Sequence, residues 1–183
     1  MALLATIPAA AQVAPPDWRK ETFDFPLRFA ASIPLEGQEH VRFVPGWDKF
    51  DADTGFSYVI LWDVKTKPTT GEDLEDYLET YFDGLMTNVG RARELLDKKV
   101  KASVASHPLT GVKGWAQGYG VEVRTWNAFS KGEPLLLWGE VLQRECGPRM
   151  QVFFAFSKAP RDHPIWERLR GVRDATTCAV PGS

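Results

Sequence analysis

From Leu95 to Lys158 the apolar residues fall on alternate positions, in four runs separated only by short turn signals, and that pattern leaves few folds open. The runs are Lys101 to Ser106, Lys113 to Phe129, Leu135 to Cys146 and Met150 to Lys158, joined by HPLTG, SKGEP and CGPR. A loop of about two to five residues reverses a chain into an antiparallel neighbour, whereas a parallel neighbour needs a crossover of about a dozen or more. The chain therefore predicts an antiparallel meander. Gly114, Gly118 and Gly120 in the second run predict a bend or bulge there.

Upstream the period changes. Leu74, Tyr77, Leu78, Tyr81, Phe82, Leu85 and Met86 recur at helical spacing and form one broad apolar stripe. Thr70 suits the N-cap, Glu72, Asp73, Glu75 and Asp76 favour the positive end of the helix dipole, and Gly90 marks the stop. Before this helix, His40 to Val44 and Phe56 to Val64 read as a hairpin closed by DADTG. In the second arm Phe56, Tyr58, Ile60 and Trp62 share one face while Val59 and Leu61 share the other, so this strand is central and covered on both sides. The segment Trp18 to Phe29 reads as an edge strand or arm because Pro26 forbids a helix. A second helix starts near Pro164 with Ile165, Trp166, Leu169 and Val172 on one face. The fold class is α+β: an antiparallel sheet of about five to seven strands with the two amphipathic helices packed on one face. Residues 18–183 form one domain behind a tail at 1–17.

That tail carries ALLATIPAAA at Ala2 to Ala11, an apolar run ending in small residues that reads as the end of a secretory signal, without a preceding basic residue. About ten apolar residues are too few for a bilayer that needs about twenty, and no other window qualifies, so no transmembrane segment is expected. Export to the periplasm or outside the cell makes the two cysteines, Cys146 and Cys178, a candidate disulfide. With 22 basic and 24 acidic residues the net charge is −2, which argues against nucleic acid or an anionic membrane as partner.

Known reactive patterns are missing. His40, His107 and His163 stand far apart with no second histidine at ligand spacing, and Asp48, Asp51, Asp53 and Gly55 form a turn that lacks the closing acid of a calcium loop. No metal or cofactor is predicted. Ser57 has Val59 where a nucleophile elbow needs glycine, and neither C-x-x-C nor a phosphate-binding loop occurs. Glu122 and Glu140 are the carboxylate candidates because each lies inside an apolar strand; the plainer reading is cross-strand ion pairs with the nearby Arg124 and Arg144 on the sheet's wet face. The other distinctive feature is seven tryptophans. Trp62, Trp115, Trp126 and Trp138, with Trp47 on the same hairpin as Trp62, are candidates to line an apolar or sugar-stacking pocket, or simply to fill the core.

The stretches EHVRFVPGW, GFSYVILW and LEDYLETYFDGL resemble a group of uncharacterised exported bacterial proteins, over roughly residues 18 to 158. The resemblance implies export and no activity. The order of elements is similar to that of PsbP-like domains, small α+β modules that act as binding or assembly accessories, and this similarity transfers no site residue. The resulting expectation is a non-enzymatic exported accessory that binds a protein partner or an apolar small molecule. The alternatives are a carboxylate-dependent hydrolase whose site exists only in the fold, and a homodimer joined strand to strand.

Overall fold

The computed structural model describes residues 14–67 and 69–178. Its elements are β1 (Arg19–Asp24), β2 (Gly37–Phe43), β3 (Tyr58–Val64), α1 (Gly71–Ala92), β4 (Ser103–Pro108), β5 (Gln117–Trp126), β6 (Pro134–Cys146), β7 (Arg149–Ser157) and α2 (Ile165–Ala175). All seven strands form one antiparallel sheet in the order β1-β2-β3-β7-β6-β5-β4. The chain leaves β3 in mid-sheet, crosses one face as α1, starts again at the far edge as β4, and returns by meander until β7 closes against β3. The glycine-rich run is shorter than its alternation predicts, and β5 starts only at Gln117. Gly111 and Gly114 ahead of it take positive φ in a loop, a conformation open to glycine without steric cost.

The two helices lie on opposite faces, which corrects the expectation of a single helical layer. Leu74, Leu78, Tyr81, Phe82 and Met86 of α1 pack on the face carrying Tyr58, Ile60, Trp62, Phe154 and Phe156. Ile165, Trp166, Leu169 and Val172 of α2 pack on the face carrying Val59, Leu61, Phe153 and Ala155. The physical reason lies in β3 and β7, whose side chains are buried along both faces. Apolar side chains on both sides of a sheet must both leave water, and one layer cannot cover two faces.

Acidic residues of α1 do more than complement its dipole. Asp83, Glu79 and Glu75 accept hydrogen bonds from the backbone N–H groups of Ala102 (2.6 Å), Val104 (3.2 Å) and Ser106 (2.7 Å), the outward-facing donors at the edge of the sheet. The spacing matches because four helical residues rise about 6 Å and two strand residues about 6.6 Å. An edge strand with free donors is a template for aggregation, and here a helix covers it. Asp83→Ala should therefore lower stability by about 1.5 to 3 kcal/mol, the usual value of a hydrogen bond to a charged group. A thermal melt unchanged by the substitution would show that water serves Ala102 equally well.

On the other face, buried Glu140 of β6 ties down α2 by accepting from Arg170 Nη2 at 2.5 Å, with Arg173 Nη1 at 3.6 Å. Beyond α2, Cys178 is joined to Cys146 at the end of β6 by a disulfide, with the Cα atoms 5.4 Å apart. No helix among the described residues is long and apolar enough to cross a membrane. The apolar run Ala2 to Ala11 lies outside the described residues.

Candidate functional site

A seven-stranded sheet is about 30 Å wide at about 4.8 Å per strand, whereas a helix with its side chains covers about 10 Å. The single helix on this face, α1, lies over β4 and β5. The strip above β1, β2 and β3 must be covered by something else. Phe25, Leu27, Phe29 and Ile33 from the β1–β2 connection fill part of it, and Trp47, Phe50 and Phe56 from the β2–β3 loop, with Phe129 from the β5–β6 turn, fill more. Where these covers fail to meet α1, a pocket of about 390 Å³ remains.

Its walls are mostly aromatic. Trp47 lies tilted by 35° against Phe43 at 4.4 Å and meets Phe129 edge-on at 6.0 Å, while Phe56 lies 5.9 Å from Phe129. Val41 of β2 and Leu85, Met86 and Val89 of α1 complete the apolar lining. Phe56 holds φ at 55°, a left-handed backbone that a bulky residue adopts only when its surroundings compel it, at a cost of about 1 kcal/mol or more. What compels it is burial of the ring among Phe50, Phe129 and the sheet, with the Phe56 N–H donating to the Trp47 carbonyl at 2.8 Å.

Polar groups are few and grouped. Glu39 of β2, with no exposed surface, stands directly opposite Trp62 in the β2–β3 register and belongs to the pocket wall. Trp62 Nε1 donates to its Oε2 at 2.7 Å, and the Tyr81 hydroxyl donates to its Oε1 at 3.3 Å. Burial raises the carboxyl to about 7 against the opposing pull of these two hydrogen bonds, and the charge of Glu21 adds to the rise. Burial and the neighbouring Glu39 also push the Tyr58 and Tyr81 hydroxyls far upward, so both stay protonated. At the mouth, Arg19 pairs with Glu21 and lies over the Phe43 and Trp47 rings, 5.6 and 6.0 Å from their centroids.

The candidates chosen from sequence are distributed differently. Trp62 and Trp126 are buried beneath α1, whereas Trp115 and Trp138 sit partly buried on the α2 face, so the four line no common pocket. Trp115 is covered by Arg144 at 4.2 Å, and Trp138 has Arg161 at 5.8 Å. Of the four only Trp62 reaches the pocket's chemistry, through Glu39. The cross-strand ion pairs do not form: Glu122 pairs with Arg124 of its own strand at 3.0 Å, and Glu140 pairs with α2, while Arg144 donates to Gln151. Both glutamates lie on the face opposite the pocket, since Glu122 is paired with Trp138 and Glu140 is two residues further along β6. Among the described residues no group of three or more His, Cys, Asp or Glu is placed to hold a metal ion.

Glu39 escaped the sequence reading although a signal existed. In GQEHVRF it shares its phase with Val41 and Phe43, the residues that must face the core. An acid in the apolar phase of a strand is an acid turned inward.

No family model and no curated protein matches the chain. Among solved structures, a protein of unknown function from Pseudomonas aeruginosa, PA94, aligns with 91% of this chain and 86% of its own at 12% identity and a TM-score of 0.32, too low for any argument to rest on it.

Proposed function

We propose that the protein is an exported binding protein that holds an apolar small molecule between α1 and the β1–β2–β3 side of the sheet. The observation that carries this reading is an aromatic pocket of about 390 Å³ with a buried carboxyl in its wall. Small-ligand sites commonly span about 300 to 1,000 Å³, are mostly apolar, and hold a few placed polar groups. Folding alone gains nothing by leaving such a pocket unfilled, because interiors otherwise pack to the density of organic crystals. The Cys146–Cys178 bond supports an oxidising compartment, where disulfides persist.

Titration with N-phenylnaphthylamine, an uncharged apolar dye that fluoresces out of water, tests the pocket. One saturable site is expected. Val89→Trp places an indole into the space from a half-buried position on α1 and should weaken dye binding at least about tenfold, while the far-ultraviolet spectrum is preserved. Wild-type protein without saturable binding, or equal binding by Val89→Trp, would refute the reading.

A further inference from the structure

We propose that the natural ligand of this pocket is an organic cation, a protonated amine carried on an aromatic or aliphatic body. The inference rests on the pocket reading above and adds the sign of the charge.

Three observations carry it. First, Glu39 is fully buried yet has no cationic partner among the described residues; its two donors, Trp62 and Tyr81, are neutral. Elsewhere in the fold the buried or nearly buried acids are matched by arginine, Glu140 by Arg170 and Arg173, and Asp63 by Arg149 at 2.5 Å. A buried carboxylate without a counter-ion is costly, and its charge is felt across a wall that excludes water.

Second, the ionisable groups around the space have a negative excess. Among the described residues they are Arg19 and Glu21 on β1, Glu39 on β2, Tyr58 on β3 and Tyr81 on α1, and the one cation of this set is already paired with Glu21. Third, the lining includes Phe43 and Trp47, aromatic rings whose faces carry negative quadrupoles that attract cations. The protein itself demonstrates this at the rim, where the Arg19 guanidinium lies over Phe43 and Trp47. An anionic ligand would be opposed by the first two features, and a neutral one would leave the charge of Glu39 unmatched. An ammonium ion would use all three, and would supply the charge that Glu39 lacks.

The test compares phenethylamine, phenethyl alcohol and phenylacetate, which share one body and differ in the charge of the head, by calorimetric titration of the whole chain. The measurement is made near pH 8, above the value of about 7 for Glu39. The amine should bind at least about tenfold more tightly than the alcohol, with the acid weakest. Glu39→Gln should abolish most of the gap between amine and alcohol, and an unchanged far-ultraviolet spectrum shows that the variant is folded.

Arg19→Met supplies a readout that a folding defect cannot imitate. It removes the resident cation from Phe43 and Trp47 and frees Glu21, so the amine should gain affinity by about threefold or more. Alcohol binding equal to or tighter than amine binding overturns the proposal, as does amine affinity unchanged or weakened by Arg19→Met. If none of the three binds, the proposal is likewise overturned. The dye titration then decides separately whether the pocket reading falls with it.

Discussion

Between pH 5 and pH 8 the wild-type protein should lose about 3 kcal/mol of stability relative to Glu39→Gln. The carboxyl of Glu39 moves from its ordinary 4.5 to about 7 on folding, and each unit is worth about 1.4 kcal/mol. The sign is opposite to that of a salt-bridged acid. Between these two values the folded state keeps a proton that the unfolded state has released, so raising the pH favours unfolding; below 4.5 and above 7 the contribution is flat. His40 acts in the opposite direction, because burial lowers its basicity and the unfolded chain takes up the proton first, but this histidine is present in both proteins and largely cancels in their difference. Glutamine keeps an acceptor for Trp62 and carries no charge at any pH. Urea unfolding at several pH values measures the effect. Parallel profiles for the two proteins would mean that Glu39 is not buried in an apolar wall, and the candidate site would lose its defining group.

Removing the disulfide should have an effect of similar size. Cys146 and Cys178 are 32 residues apart, and release of a loop of that length from the unfolded chain costs roughly 3 to 4 kcal/mol in the chain-entropy model. For a domain of this length that corresponds to a melting temperature lower by about 10 °C. The double variant Cys146→Ala, Cys178→Ala should show this loss without reductant, and wild-type protein should approach it only when dithiothreitol is added. The bond secures the residues following α2 to the end of β6, while α2 is held independently by Glu140 and by Trp166, whose Nε1 donates to the Ala159 carbonyl at 3.1 Å. The variant should therefore retain its helical signal. A melt insensitive to reductant would show that the pair contributes nothing to stability, and the argument for an oxidising compartment would weaken with it.

Several elements were legible because their causes are local. The helix stripe from Leu74 to Met86 and its cap at Thr70, whose hydroxyl accepts from the Asp73 N–H, are consequences of spacing within one segment. The alternating runs after Leu95 became four antiparallel strands because their connections are short. The position of the second helix was not legible from its own stripe, which says that one side is buried and not against what. A clue lay in β3, where Val59 and Leu61 required cover as much as Ile60 and Trp62 did. Weighing those two faces together would have placed a helix on each.

The functional candidates failed for a related reason. Tryptophans attract attention by size, yet Trp62 and Trp126 lie in the core, and Trp47 shares the pocket lining with smaller rings from separate connections and strands. Glu75 read as a dipole match, and with Glu79 and Asp83 further along α1 it satisfies the sheet edge. Nothing in their spacing along a helix announces a strand alongside.

What the amino-acid order determined by itself is periodic: which segments are strands, which are helices, and which consecutive strands run antiparallel. These follow from backbone geometry acting over a few residues. The tertiary structure decided matters of area. One helix cannot cover a sheet seven strands wide, so its resting place over β4 and β5 created an uncovered strip above β1, β2 and β3. The aromatic cover, the remaining pocket and the buried Glu39 carboxyl all follow from that shortfall, which exists only once the strands have been laid side by side.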